Sequence, residues 1–155
     1  MTQKTIAAET TPPGCTNAKL RQLTRRINQH FDDEVTQSGL KTTQYSLLTT
    51  IETKGPVRPV DLAASLHMTA STLSRNLQVL ITAGWLKTTQ GADARSRLVT
   101  ITESGIARRR AARAHWKRAQ QSLITLLGEE KVAALHRLID EALPLLTPAP
   151  DETAE

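Results

Sequence analysis

The stretch TASTLSRN, residues 69–76, sets hydroxyls, an amide and one cation side by side: Thr69, Ser71, Thr72, Ser74, Arg75 and Asn76. These groups donate and accept hydrogen bonds, and none has a neighbouring base that would make it a nucleophile. Their chemistry is recognition. Base edges and phosphates suit it, with asparagine matching adenine, arginine matching guanine or phosphate, and hydroxyls matching either kind of surface. A second group, Asp93, Arg95 and Arg97, lies in DARSR. Here a carboxylate can fix the direction of a guanidinium through a charge-assisted hydrogen bond. Both arginines could touch a polyanion, or one could touch it while the other acts as a strut. Taken alone, the same run also reads as a solvated turn with a weak surface ion pair.

Catalytic patterns are missing from the chain. It has no metal-spaced His/Cys cluster, no Gly-rich phosphate loop and no nucleophile–base pair, and its histidines at 30, 67, 115 and 136 are scattered. No enzymatic activity, metal or cofactor is expected. Cys15 stands alone, so no internal disulfide can form. Lys and Arg total 20 against 15 acids, a net charge of +5, which favours a polyanionic partner. No apolar run approaches the ~20 residues that span a bilayer. The opening MTQKTIAAETTPPG also lacks the apolar segment of a signal peptide. A cytoplasmic protein without membrane association is expected.

The elements that must position these residues follow from periodicity. Aromatics are 3% of the chain, so the core must be aliphatic. Leu20, Leu23, Ile27, Phe31 and Val35 mark one face of a first helix, closed by Gly39, with Lys19, Arg21, Arg25 and Arg26 opposite. A second helix starts near Thr42 or Thr43 and runs through Tyr45, Leu47, Leu48 and Ile51 to Gly55-Pro56. A short third covers Val60 to Leu66, with Pro59 and Asp61 suited to its first turn. Thr69 caps a fourth, whose Leu73, Leu77, Leu80 and Ile81 face inward and which Gly84 ends. WLKTT and RLVTIT then alternate around the turn-forming QGADARS, the pattern of a β-hairpin. Thr102 caps a long helix that runs through Ala107, Ala111, Ala114 and Leu123 to Leu127, with Gly128 as its stop. A last helix, from Glu129 to Leu146, carries Val132, Leu135, Leu138, Ile139, Ala142 and Leu143. Trp85 is assigned to the core.

The third and fourth helices make a helix-turn-helix, in which the second helix enters the major groove, and the hairpin makes the motif winged. A wing bearing arginines can reach a minor groove, where narrow A·T-rich stretches concentrate negative potential. A winged helix that binds protein and touches nucleic acid only loosely remains an open alternative.

Asp93-Ala-Arg95 followed by Ile101-Thr102 and Gly105 resembles the wing signature of the MarR family of winged-helix regulators. Isoleucine replaces the family's leucine. TASTLSRNLQVLITAGWL and GLKTTQYSLLTTI share the family's look, and the similarity covers roughly residues 15–146. The resemblance implies a mainly α fold with a small β-hairpin wing. In it a winged helix-turn-helix at 42–105 is flanked by dimerisation helices at 15–38 and 106–146, between tails at 1–14 and 147–155. It implies a homodimer on double-stranded DNA, with Thr69, Ser71, Thr72, Ser74, Arg75, Asn76, Asp93, Arg95 and Arg97 in contact, acting as a repressor released by a small molecule or an oxidant. Arg21, Arg25, His30, Tyr45 and Trp116 would line an effector crevice suited to an aromatic acid or phenol, the alternative being ordinary packing and salt bridges. Cys15, near Lys19 and Arg21, would be the thiol of an oxidant sensor, the alternative being an incidental cysteine. The run ARRRAARAHWKR, residues 107–118, either binds phosphates or forms a solvated face whose arginines pair with acids across the dimer.

The dimer also has a reason independent of resemblance. The first and last helices carry apolar faces too large for a small helix-turn-helix core to cover, and exposed apolar surface costs ~25 cal/mol for each Å².

Overall fold

The computed structural model describes residues 13–92 and 96–146. Helix α1 (Thr16–Val35) leads through a 3-10 turn (Thr36–Ser38) to α2 (Thr42–Lys54), α3 (Pro59–Ser65) and α4 (Ala70–Thr82). Strands β1 (Leu86–Gln90) and β2 (Arg97–Ile101) follow, then α5 (Glu103–Leu127) and α6 (Glu129–Leu146). Each boundary has a local cause. Gly39 takes a left-handed φ of 79° that ends the first helical segment, four residues beyond the α-helix proper. Asp32 of α1 accepts the Thr42 amide at 2.9 Å, so the start of α2 is capped from a neighbouring helix. Arg58 precedes α3 and forks onto Asp61, with Nε–Oδ2 2.6 Å and Nη2–Oδ1 3.0 Å. That hydrogen bond and the carboxylate's charge raise the Arg58 guanidinium further above its ordinary range.

The core gathers Val35, Leu40, Leu48, Ile51, Leu62, Leu73, Leu80 and Val99, all fully buried, at the meeting point of α1, α2, α3, α4 and the hairpin. The strands pair antiparallel, Leu86 opposite Ile101 and Gln90 opposite Arg97. Val57, in the α2–α3 connection, adds a bridge to Val99, donating at 3.1 Å and accepting at 2.9 Å. The hairpin is therefore fastened to the start of the helix-turn-helix as well as to its end.

Helix α5 packs through small residues. Ala107, Ala111 and Ala114 are exposed, while Gly105, Ala112 and Ala119 are buried at heptad spacing. Alanines lie on every side of this helix, so their spacing alone cannot identify the packed face. Against α1 the packing is antiparallel, His30 Nε2 donating to the Ala119 carbonyl at 3.0 Å. Trp85 is only half-buried, packed against the core edge. Of the apolar residues on α6, only Val132 is buried.

Candidate nucleic-acid interface

The turn between α3 and α4 is tight. His67 adopts a left-handed φ of 51°, and the His67 and Met68 amides return to the carbonyls of Ala64 and Ala63 at 3.2 and 2.9 Å. Thr69 then caps α4, its Oγ1 accepting the Thr72 amide at 3.3 Å and donating to Thr72 Oγ1 at 2.9 Å. The Thr69 hydroxyl is thus engaged within the cap. Leu73, Leu77 and Leu80 face the core, which leaves Ser71, Thr72, Ser74 and Arg75 exposed. Asn76 is half-buried and turned toward α2, beside Lys41, Thr43, Gln44 and Leu47.

Two further polar residues belong to the exposed face. Ser71, Arg75, Gln78 and Thr82 follow one another at three- or four-residue intervals, forming one stripe. Gln78 Nε2 donates to Thr82 Oγ1 at 3.3 Å. Helical spacing from Arg75 was signal enough to include both.

On the hairpin, alternation assigns faces. Val99 is buried, so Arg97 and Ile101, two residues either side, share its inward face with their partners Gln90 and Leu86. Arg97 accordingly lines a cleft of about 460 Å³ between wing and helix-turn-helix, with Ser74, Gln78 and Thr88 at its polar margin. Its apolar floor includes Val60, Leu73 and Val99. The Gly91 amide donates to the Ser96 carbonyl at 2.8 Å, closing the base of the wing loop. Asp93 and Arg95 lie outside the described residues.

The base of the wing is clamped by α5. The Thr102 amide donates to the Trp85 carbonyl at 3.0 Å, and Thr102 Oγ1 donates to Gly84 O at 2.7 Å and accepts the Gly105 amide at 3.0 Å. A side chain at Gly105 would collide with the Trp85 carbonyl, which explains glycine there.

The candidate effector residues separate into two groups. Tyr45 stacks on Trp116, ring centroids 5.9 Å apart at 26°, and Phe31 packs on Trp116 at 6.3 Å. His30, through its bond to Ala119, closes the same junction of α1, α2 and α5. Arg21 and Arg25 are exposed further back on α1. At 1.5 Å of rise per residue they lie about 13.5 and about 7.5 Å along the axis from His30. Cys15 is the exposed N-cap of α1, and its thiol makes no capping bond.

In the 107–118 run, two arginines pair with acids of the same chain and a third lies on an aromatic ring. Arg109 forms an ion pair with Glu52 of α2. Arg118 reaches Glu34 at 3.2 Å and also donates to His115 Nδ1 at 2.7 Å. Arg108 lies on the Trp85 ring, 5.2 Å from its centroid. Arg110, Arg113 and Lys117 remain exposed. Among the described residues, no helix is long and apolar enough to cross a membrane.

A capped helix with a polar outer stripe, packed beside a hairpin that turns an arginine toward it, defines a winged helix-turn-helix protein. The MarR family model matches residues 38–96, from the end of the 3-10 turn to the wing. An uncharacterised HTH-type transcriptional regulator of Bacillus subtilis, YwoH, is 29% identical over 85 residues, and the match covers 55% of this chain and 62% of that protein's length. Among solved structures, a cysteine-to-serine mutant of Escherichia coli MarR complexed with operator DNA superposes with a TM-score of 0.76 at 22% identity, over 83% of this chain and 93% of that one. The regulator MosR of Mycobacterium tuberculosis, in complex with DNA, gives 0.69 at 27% identity over 84% and 99%. The chain is thus similar to the MarR family over its helix-turn-helix and wing, and it shares the winged-helix fold of these solved structures.

Proposed function

We propose that this protein is a homodimeric transcriptional regulator that binds a pseudo-palindromic operator, and that it acts as a repressor released by a small aromatic acid or phenol. The observation that carries the reading is the shared orientation of two polar features. The exposed face of α4 and Arg97 of the wing border one cleft, so a duplex seated on α4 would meet both. In that pose Ser71, Thr72, Ser74 and Arg75 reach the major groove, and the wing reaches the adjacent backbone. Asn76 takes part from the flank of α4, beside Lys41 and Thr43. Asp93 and Arg95 complete the wing contact.

Exposed apolar surface supports the dimer. Leu138, Ile139, Leu143, Leu145 and Leu146 of α6 are 41–84% exposed, as are Leu20 at 50% and Leu126 at 71%. A two-fold partner that covers these helices would present two copies of α4 to half-sites about one helical turn apart. For the effector, the Tyr45–Trp116 stack is the apolar, aromatic floor, and it touches all three helices whose relative tilt would reposition α4.

Selection of bound duplexes from a random pool tests the reading. A genuine reader prefers its selected operator over random duplex by ~10³-fold or more. Arg75→Ala should then reduce sequence preference at one position by ~1–3 kcal/mol, while Arg97→Ala should weaken all duplexes alike and lower the salt slope by about one. An Arg75→Ala protein with unchanged affinity and preference would refute the assignment of α4.

A further inference from the structure

One half-buried cation of α5 has no acid partner among the described residues. Arg108 lies in the second turn of α5, with its guanidinium on the Trp85 indole, 5.2 Å from the ring centroid. Its Nε is buried and has no hydrogen-bond partner among the described residues. The guanidinium also lies close to Gly39, where an added Cβ would stand 2.8 Å from Nη2 and 3.2 Å from Cζ. The two surfaces it touches belong to different parts of the molecule. Trp85 is the corner directly after the recognition helix α4, and its amide and carbonyl bond to Leu80 O and the Thr102 amide, both at 3.0 Å. Gly39 is the joint between α1 and α2.

We infer that Arg108 is a positioning residue that fixes the angle between the DNA-reading unit and the helices that pair two subunits, and so sets the spacing of half-sites the protein accepts. This rests on the proposed dimeric reading of DNA. A planar guanidinium can meet both an indole face and a bare glycine Cα, and it attracts the ring electrostatically. A lysine ammonium has neither the plane nor the width. The neighbouring Arg109–Glu52 ion pair, with side chains 15% and 25% exposed, ties the same turn of α5 to α2. With that pair intact, loss of Arg108 frees the corner while the body of the fold stays assembled. In a dimer, any rotation at this corner is imposed on both recognition helices about the two-fold axis. One base pair of added spacing displaces a half-site by ~3.4 Å and turns it by ~35°. A rigid corner rejects that change, and a loosened one accommodates it.

The test uses the selected operator in three versions, with native spacing and with one base pair added or removed between half-sites, plus a duplex carrying a single half-site. Wild-type, Arg108→Ala, Arg108→Lys and Trp85→Leu proteins are titrated against each, after thermal melts establish that they are folded. Wild type should prefer native spacing by roughly tenfold or more, the scale of one defective contact. Arg108→Ala, Arg108→Lys and Trp85→Leu should compress that ratio to under about threefold, with single-half-site affinity held within about twofold. Should Arg108→Ala fail to fold, Trp85→Leu carries the same comparison. A uniform loss of affinity with the spacing ratio preserved would overturn the inference and leave Arg108 a merely stabilising residue. So would a wild-type protein indifferent to spacing. Failure of wild type to select any operator would instead overturn the function itself.

Discussion

Replacing Gly105 with alanine sets two physical effects against each other. In a helix interior, Gly→Ala ordinarily stabilises by about 1 kcal/mol, because alanine loses less backbone freedom on folding. Here the added Cβ would overlap the Trp85 carbonyl oxygen, 3.0 Å from that carbonyl's carbon and 2.8 Å from Ile101 Cγ1. The obstacle is backbone, so no side-chain rotation relieves it, and either α5 or the hairpin base must withdraw. Overpacking of this kind costs about 1–3 kcal/mol. Withdrawal also stretches Thr102 N–H to Trp85 O and Thr102 Oγ1–H to Gly84 O, now 3.0 and 2.7 Å. Each bond is worth about 1 kcal/mol. Net destabilisation should be about 3 kcal/mol, or about 6–12 °C in Tm for a chain of this length. Thermal melts of wild type and Gly105→Ala at one protein concentration measure it, since the stability of any chain that self-associates varies with concentration. Gly84→Ala is the control: its φ is 76° but nothing lies within 4 Å of the new Cβ, so only the left-handed backbone penalises it, by about 1 kcal/mol. A Gly105→Ala protein as stable as wild type would refute the close approach and the clamp built upon it.

Thr69→Ala removes the cap of α4 and should cost about 1 kcal/mol, with a parallel loss of DNA affinity, since the frayed turn carries Ser71 and Thr72. His67→Gly should raise stability by about 0.5–1 kcal/mol, because a left-handed φ of 51° strains every residue but glycine, against a smaller unfolded-state entropy cost; urea titration reads it. Glu52→Ala strands Arg109 in a partly buried site and should cost about 2 kcal/mol, most of it recovered when Arg109→Leu is added; a double-mutant cycle checks the coupling. Leu138→Asp, on the exposed apolar face of α6, should shift sedimentation from dimer to monomer at micromolar concentration and abolish operator binding together with it.

Local signals carried much of this molecule. Thr69 and Thr102 cap helices because a hydroxyl beside an amide-rich turn has few better partners, and both caps form. Gly39, Gly84 and Gly128 end helical segments with positive φ, a conformation that glycine alone adopts without strain. The alternation of WLKTT and RLVTIT gave the wing, and leucines at helical spacing fixed which side of α4 is buried. These are nearest-neighbour effects and the period of a single element, so one chain read in order contains them.

Which groups meet was decided elsewhere. Asn76 sits in the recognition run, yet its place against Lys41 and Thr43 depends on how α2 crosses α4. Arg97 faces the cleft because Val99 is drawn inward by α2, α3 and Val57, and no spacing within DARSR reveals that. Arg21 and Arg25 share a helix with His30, but the antiparallel packing of α1 on α5 brings only His30 to the aromatic junction. The arginine run divides by partner, since Glu34, Glu52, Trp85 and Gly39 are distant in sequence and adjacent only once six elements have packed. Composition and period establish the elements and their polar faces, because those depend on residues within a turn or two of one another. The pairing of distant side chains requires the crossing angles of helices, which arise only when all the apolar faces are buried together.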